Sequence, residues 1–270
     1  MERILRVIKK HIIVYWVFIK NNIMAQMEYR VNFFSGIAME IGYLFVKLLY
    51  IIVIFRSGAN INGFTPNELL IFAGTFIILT GFHAGLFMVN FMSIRTLVKE
   101  GMLDFYIVKP VSVQFIATLR RSDMGLFVTD VLAGIVLVII GVVRMHMSLA
   151  VFQVLGYAMF IACGVAIGYS LFLIPQILTF WFINTSAIGE TFNSFWDINN
   201  VPMIVFDKWF QRLGIFVIPI FVVTNFPALF ILDRMSPLYF AWGLIVPVIA
   251  FVLVRLFWKF AVKNYSSASS

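Results

Sequence analysis

The chain has 270 residues, 62% of them hydrophobic and 12% charged, with a mean hydropathy of +1.01. A soluble domain carries about a quarter charged residues, and the short alternating segments of a membrane barrel are missing, so the composition points to an all-α polytopic membrane protein. The net charge of +8 is then a matter of orientation, because Lys and Arg bias loops toward the cytoplasm, and no nucleic-acid partner is expected.

In residues 1–30, Ile4, Ile8, Ile12, Trp16, Ile19, Ile23 and Met27 recur at three or four positions, which stacks them on one helical face. Arg3, Arg6, Lys9, Lys10, Lys20 and Gln26 fall largely elsewhere. The pattern predicts an N-terminal interfacial amphipathic helix lying among the headgroups; a poorly inserted first span is the alternative. The basic start imitates a signal peptide, but "NNIMAQMEYR" offers no small-residue cleavage site, so the segment reads as retained.

Apolar runs of spanning length then follow at Phe33 to Phe55, Leu69 to Met92, Met124 to Val143, Leu149 to Leu171 and Leu238 to Trp258. Between them, 172–237 holds two further apolar stretches, 172–195 and 213–232. Basic residues settle the parity. Arg3 to Arg30, Arg95 to Arg121 and Arg255 to Lys263 lie on one side, against Arg56, Arg144, Lys208, Arg212 and Arg234 on the other. That bias predicts six transmembrane helices with both termini cytoplasmic, so one doubtful stretch crosses fully. Pro219 and Pro227 each remove a backbone donor and bend a helix. The expectation is therefore a fifth span over 172–195 and re-entrant helices at 213–232 before the last span, with the opposite assignment open. Residues 1–265 read as a single transmembrane permease domain, and 266–270 as a disordered tail or a cloning remnant.

Four ionisable residues lie at predicted membrane depth, where such groups face protein or water rather than lipid. Glu40 and Lys47 share one face of the first span about 10 Å apart along its axis; they line a pathway or snorkel apart. His83 sits within "GFHAG" and Asp130 in the third span. With Glu40 these are candidates for a proton relay, against the plainer reading of a packed, hydrogen-bonded histidine; no metal site is assigned. The single Cys163 lies in an apolar run and permits no intrachain disulfide. "GVAIG" (Gly164 to Gly168) carries the small-xxx-small spacing of closely approaching helices.

The substantial loop, 93–123, contains "GMLDFYIVKPVSVQF". It is too apolar for a freely solvated segment and is punctuated by Gly101 and Pro110. It is either a docking surface or a stretch resting on headgroups. Here the chain resembles a known family. "QMEYRVNFF", the loop "RTLVKEGMLDFYIVKPVSVQF" and "VIPIFVVTNFPALFIL" resemble bacterial ABC-transporter permeases of the type-2 exporter class, over essentially the whole chain. The resemblance implies a coupling helix between spans two and three that docks on a separate ABC ATPase subunit, through Gly101, Leu103, Asp104, Phe105, Tyr106, Lys109 and Pro110. It also implies re-entrant helices before span six, a second permease copy or a sister permease, and a place in the bacterial cytoplasmic (inner) membrane among its lipids. No G-x-x-x-x-G-K-[ST] occurs, so no cofactor is expected on this chain, and ATP and Mg would be bound by the partner. The aromatic-rich spans lean toward export of a lipid-like, peptide or hydrophobic drug substrate. The competing functions are an ion-coupled secondary transporter using Glu40, Asp130 and His83, and an intramembrane enzyme, for which no clustered catalytic groups are found.

Overall fold

The computed structural model describes residues 2–57, 63–182 and 186–265, and every regular element among them is helical. Helix α1 (Glu2–Glu28) turns at Tyr29 into α2 (Arg30–Ser57), which covers the first predicted span; the side chains of 48 and 50–57 lie outside the described residues. Helix α3 (Pro66–Phe82) starts at a capping box. Thr65 N–H donates to the Glu68 carboxylate at 2.7 Å, the Thr65 hydroxyl accepts from Glu68 N–H at 3.4 Å, and Pro66 occupies the first turn where no donor is needed. A π-helical turn (His83–Met88) joins α3 to α4 (Val89–Lys99), making one rod of 34 residues.

The loop folds into two short helices, α5 (Asp104–Ile107) and α6 (Val113–Leu119). Helix α7 (Met124–Arg144) is capped by the Asp123 carboxylate, and α8 (Val151–Ile177) runs on as a 3-10 turn to Phe180. Three short helices follow, α9 (Ser186–Asp197), α10 (Lys208–Phe216) and α11 (Ile220–Ile231), and α12 (Pro237–Lys263) closes the chain. Among the described residues four helices are long and apolar enough to cross a membrane: the α3–α4 rod, α7, α8 with its 3-10 extension, and α12. The α10–α11 pair, bent by 97°, would make a fifth if counted as one span.

Glycines set the helix pairing. A Cβ at Gly74 would lie 2.7 Å from the Gly134 carbonyl oxygen, one at Gly134 would lie 2.6 Å from the Gly74 carbonyl, and Gly81 meets Asp130 at 2.9 Å. So α3 and α7 pack antiparallel, backbone against backbone. Without water to drive association, such close packing holds membrane helices together. The "GVAIG" spacing serves two partners, with Gly164 under the Val223 carbonyl of α11 and Gly168 under the Trp196 ring of α9.

Contacts also fix the directions. Phe160 meets Phe240, Tyr169 meets Phe251 and Phe180 meets Trp258, so α8 and α12 run parallel. Gly164 meets Val223 and Gly156 meets Phe230, so α11 runs against α8. The chain must therefore return once along the bundle between Phe180 and Pro237. It does not do so as a single helix over 172–195. Residues 172–177 complete α8, which passes through Pro175; 183–185 lie outside the described residues; and α9 has 12 residues, about 18 Å of helix. The bend at 213–232 comes at Pro219 between α10 and α11, whereas Pro227 sits inside α11. The tail 266–270 lies outside the described residues.

Helix α2 packs on α7 through its start, where Phe33 and Ile37 meet Gly125, and leaves Phe34, Met39, Tyr43 and Phe45 exposed. The N-terminal end of α7, the C-terminal ends of α4, α8 and α12, and the α5–α6 loop share one end of the bundle, hereafter the loop end. A branched side chain at Gly134, where a Cβ would lie 2.6 Å from the Gly74 carbonyl oxygen, must push two backbones apart, at a cost of ~1–3 kcal/mol or more. Gly134→Leu is expected to lower the thermal midpoint of the purified protein clearly, whereas Gly36→Ala, which meets nothing within 4 Å, leaves it level or slightly higher. Equal midpoints for Gly134→Leu and the parent would contradict the seam.

Candidate functional site

Two groups of predicted residues come into place. In the loop, α4 ends at Glu100 and Gly101 takes φ +69°, the left-handed conformation that reverses the chain. Leu103, fully buried, donates its N–H to the Leu97 carbonyl at 3.0 Å and pins the turn to the bundle. Asp104 opens α5. The two aromatic candidates part company here. Phe105 is 69% exposed, whereas Tyr106 turns inward, accepts a hydrogen bond from Arg120 Nη1 at 2.9 Å and lies beneath the same guanidinium. With Met102, Ile107 and Val108, which is 77% exposed, Phe105 forms an apolar patch facing outward from the loop end. Lys109 is exposed beside it, and the Pro110 carbonyl accepts from Lys10 of α1.

Around this loop α1 acts as a strap. His11, Tyr15 and Phe18 surround the Phe115 ring at centroid distances of 4.8, 6.3 and 6.0 Å. Asn22 and Gln26 donate to the Arg120 and Ser122 carbonyls at 2.9 and 2.8 Å. Burial pushes the Tyr15 phenol above its ordinary value. The other side of α1 leaves Leu5, Ile8, Ile12 and Trp16 exposed.

The loop is also bolted to the bundle by residues with no assigned role in the sequence reading. Arg255 of α12 donates through Nη1 to Gln114 Oε1 at 2.6 Å and Ser112 Oγ at 3.1 Å. Gln114 Nε2 donates to the Tyr169 hydroxyl of α8 at 2.9 Å, and Thr118 Oγ1 lies 3.1 Å from the same oxygen. One polar chain thus joins α6, α8 and α12. The signal was an arginine inside an apolar span, counted above only as a cytoplasmic charge.

Within the bundle, Asp130 of α7 is buried, and the Glu40 carboxyl and Lys47 ammonium of α2 both act on it. Glu40 acts on Asp130 both as a neighbouring carboxyl and as a side-chain hydrogen-bond partner, and Lys47 acts on it as an opposite charge. Lys47 Nζ lies 5.9 Å from the Phe76 ring centre. Glu40 also lines a groove of about 580 Å³ between α1, α2 and α7, together with Asn22, Gln26, Asn32, Phe33 and Asp123. His83 does not join this cluster. It stacks on Trp196 at 4.2 Å and meets Phe172 at 4.6 Å, in an aromatic cage, and no set of three His, Cys, Asp or Glu among the described residues is placed to hold a metal.

Residues 41–269 match a family model described as ABC-2 family transporter protein. No curated protein and no solved structure matches the chain.

Groups sharing one electrostatic site couple by ~0.5–3 kcal/mol. Lys47→Met leaves two carboxyls facing each other and is expected to destabilise the protein, while Lys47→Met combined with Asp130→Asn recovers part of the loss. Strict additivity of the two changes in thermal or denaturant unfolding would contradict the cluster.

Proposed function

The chain belongs to the ABC-2 family of transporters, the multi-pass membrane components that work with an ABC ATPase subunit, and from that premise we propose that it is the permease of an ATP-driven exporter whose ATPase docks on the loop end. The observation that carries this reading is the patch of Met102, Phe105, Ile107 and Val108, held outward on a loop that is itself pinned by Leu103, the Arg120–Tyr106 contact and the Arg255 bolt. An apolar patch on a soft loop would collapse onto the bundle. One on a braced loop stays available to a partner and transmits force. Leu103, Gly101 and Tyr106 shape the coupling helix, Phe105 is its anchor, and Asp104, Lys109 and Pro110 form its rim.

With the ATPase on the loop end, that end and both termini are cytoplasmic, in accord with Arg95, Lys99, Lys109, Arg120, Arg121, Lys259 and Lys263. The crossings number six in this reading: α2, the α3–α4 rod, α7, α8, the relay α9–α11, and α12. The relay replaces a regular fifth span, and irregular backbone at membrane depth is tolerated where protein covers it; α11 supplies that cover, being buried nearly throughout. Helix α1 lies at the inner-leaflet surface with its exposed Leu5, Ile8, Ile12 and Trp16 toward lipid.

Most of the described side chains of α2 are exposed, and it carries Glu40 on the groove shared with α7 and Lys47 about two turns farther along. A second permease copy, or a sister chain, would complete a pathway there. The mixture of aromatic, amide and carboxyl groups in that groove suits an amphipathic cargo, such as a lipid, a peptide or a hydrophobic drug. An ion-coupled transporter using Glu40, Asp130 and His83 together loses support from the placement of His83 among Trp196 and Phe172.

An aromatic anchor at an interface centre can be worth ~2 kcal/mol or more, about thirtyfold in affinity. Phe105→Ala with Val108→Ala is expected to leave the permease inserted and thermally stable while lowering co-purification of the P-loop ATPase by that order. Phe152→Ala, equally exposed but at the far end of α8, should not. Undiminished capture of the ATPase by the double variant would overturn the coupling assignment.

A further inference from the structure

Behind the Arg255 bolt lies a groove of about 560 Å³ whose lining is almost wholly apolar. Leu86 and Phe87 of the π-helical turn, Ala162, Val165 and Ala166 of α8, and Phe251 of α12 form its walls. Arg255, Ser112 and Gln114 stand at its polar end, and His11 and Tyr15 of α1 lie over it. Arg255 is eight residues from the end of α12, about 12 Å from the loop end of the bundle. From Tyr169 to Ala162 the groove follows α8 for about 10 Å farther toward the middle.

No carboxylate among the described residues balances the charge on Arg255. Among the described residues the ion pair present joins Arg234 to Glu68 at the far end, and no carboxylate lies within ion-pair reach of Arg255. Its bonds to Ser112 and Gln114 are to neutral groups and both use Nη1; Nη2 and Nε donate to no described group. A partly buried guanidinium at the head of an apolar channel is strongly favoured to take an anion. The channel walls reject a small hydrated ion along most of their length and accept hydrocarbon.

We infer that this groove is a binding site for an anionic lipid of the adjoining leaflet, its phosphate on Arg255 Nη2 and Nε beside Ser112 and one acyl chain between the π-helical turn and α8. The depth of Arg255 matches a headgroup at the membrane surface, and α1, lying over the groove through His11 and Tyr15, forms its lid toward the water. The site is separate from the groove of Glu40 and does not depend on which substrate is transported. A lipid held there touches α1, α6, α8 and α12 together, so it would brace the coupling loop from inside.

The test uses the full chain in detergent, stripped of lipid and titrated in turn with dioleoyl phosphatidylglycerol, dioleoyl phosphatidylcholine and sodium phosphate, with bound species counted by native mass spectrometry. Retention of a single phosphatidylglycerol per chain is expected, at least ~10-fold tighter than phosphatidylcholine, whose phosphate is offset by a choline cation that the nearby guanidinium repels. Arg255→Gln removes that preference, and Arg255→Lys keeps much of it. Ala166→Phe fills the channel, leaves the guanidinium and its bolt intact, and abolishes retention. Equal retention of the two lipids, a preference unchanged in Arg255→Gln, or displacement of phosphatidylglycerol by millimolar phosphate would each overturn the site. If Arg255→Gln does not insert, undiminished phosphatidylglycerol binding by Ala166→Phe overturns it alone.

Discussion

Arg255 stands in an apolar last span and reaches across to Gln114 and Ser112, and through Gln114 the loop helix α6 is tied to Tyr169 of α8. A charged group so placed is costly unless it is hydrogen-bonded, so the bonds hold α6, α8 and α12 in one arrangement. The rest of the loop end depends on that arrangement. Leu103 and Gly101 set the turn, Arg120 fixes Tyr106, and α1 closes over Phe115. What remains uncommitted is the outward patch around Phe105 and Val108. A loop braced from three helices moves with them, which is the property a coupling element needs.

The far end is held differently. There the Arg234 guanidinium meets the Glu68 carboxylate at 2.6 Å and the Gly63 carbonyl at 3.0 Å, while Glu68 also caps α3. This ties the start of the rod to the turn between α11 and α12. Between the two ends, the α3–α7 and α8–α11 seams rest on glycines that bring backbones into contact. Most described side chains of their neighbour α2 are exposed, and it carries the groups that act on Asp130. The bundle thus has a rigid middle and an exposed helix bearing ionisable groups, a division that suits a pathway formed with a second chain.

Much of this was legible in the sequence, for identifiable reasons. Hydropathy and length place the rod, α7, α8 and α12, because spanning hydrocarbon demands a run of apolar residues. Pro219 announces a break, and Gly101 a turn. The stretch 172–195 was misread because hydropathy reports burial and not continuity. "LFLIPQILTF" completes α8 through Pro175, and the return along the bundle is divided among short helices whose cover comes from α11. Membrane depth alone grouped Glu40 and Asp130 with His83; the nearness of the first two and the separation of His83 carry no pattern in the sequence. Those are outcomes of which faces the glycine seams turn toward each other. Phe105 and Tyr106 are adjacent and similar in composition, yet one faces out and the other in, since successive helical residues point about 100° apart, and the inward one meets Arg120 through its hydroxyl. Arg255 looked like one more flanking charge because its partners lie more than a hundred residues away in the chain.

The central claim is that the braced loop end, and no other surface, receives the ATPase. A photoreactive phenylalanine analogue placed at Val108, and separately at the exposed Val151 on the far end, measures this directly in intact membranes. Irradiation of the Val108 variant should crosslink the permease to a polypeptide identified by its P-loop sequence and by nucleotide binding, and the yield should change when ATP is bound without being hydrolysed. The Val151 variant should give no such product. A P-loop chain captured from Val151, or none from Val108 while the ATPase still co-purifies, would contradict the account.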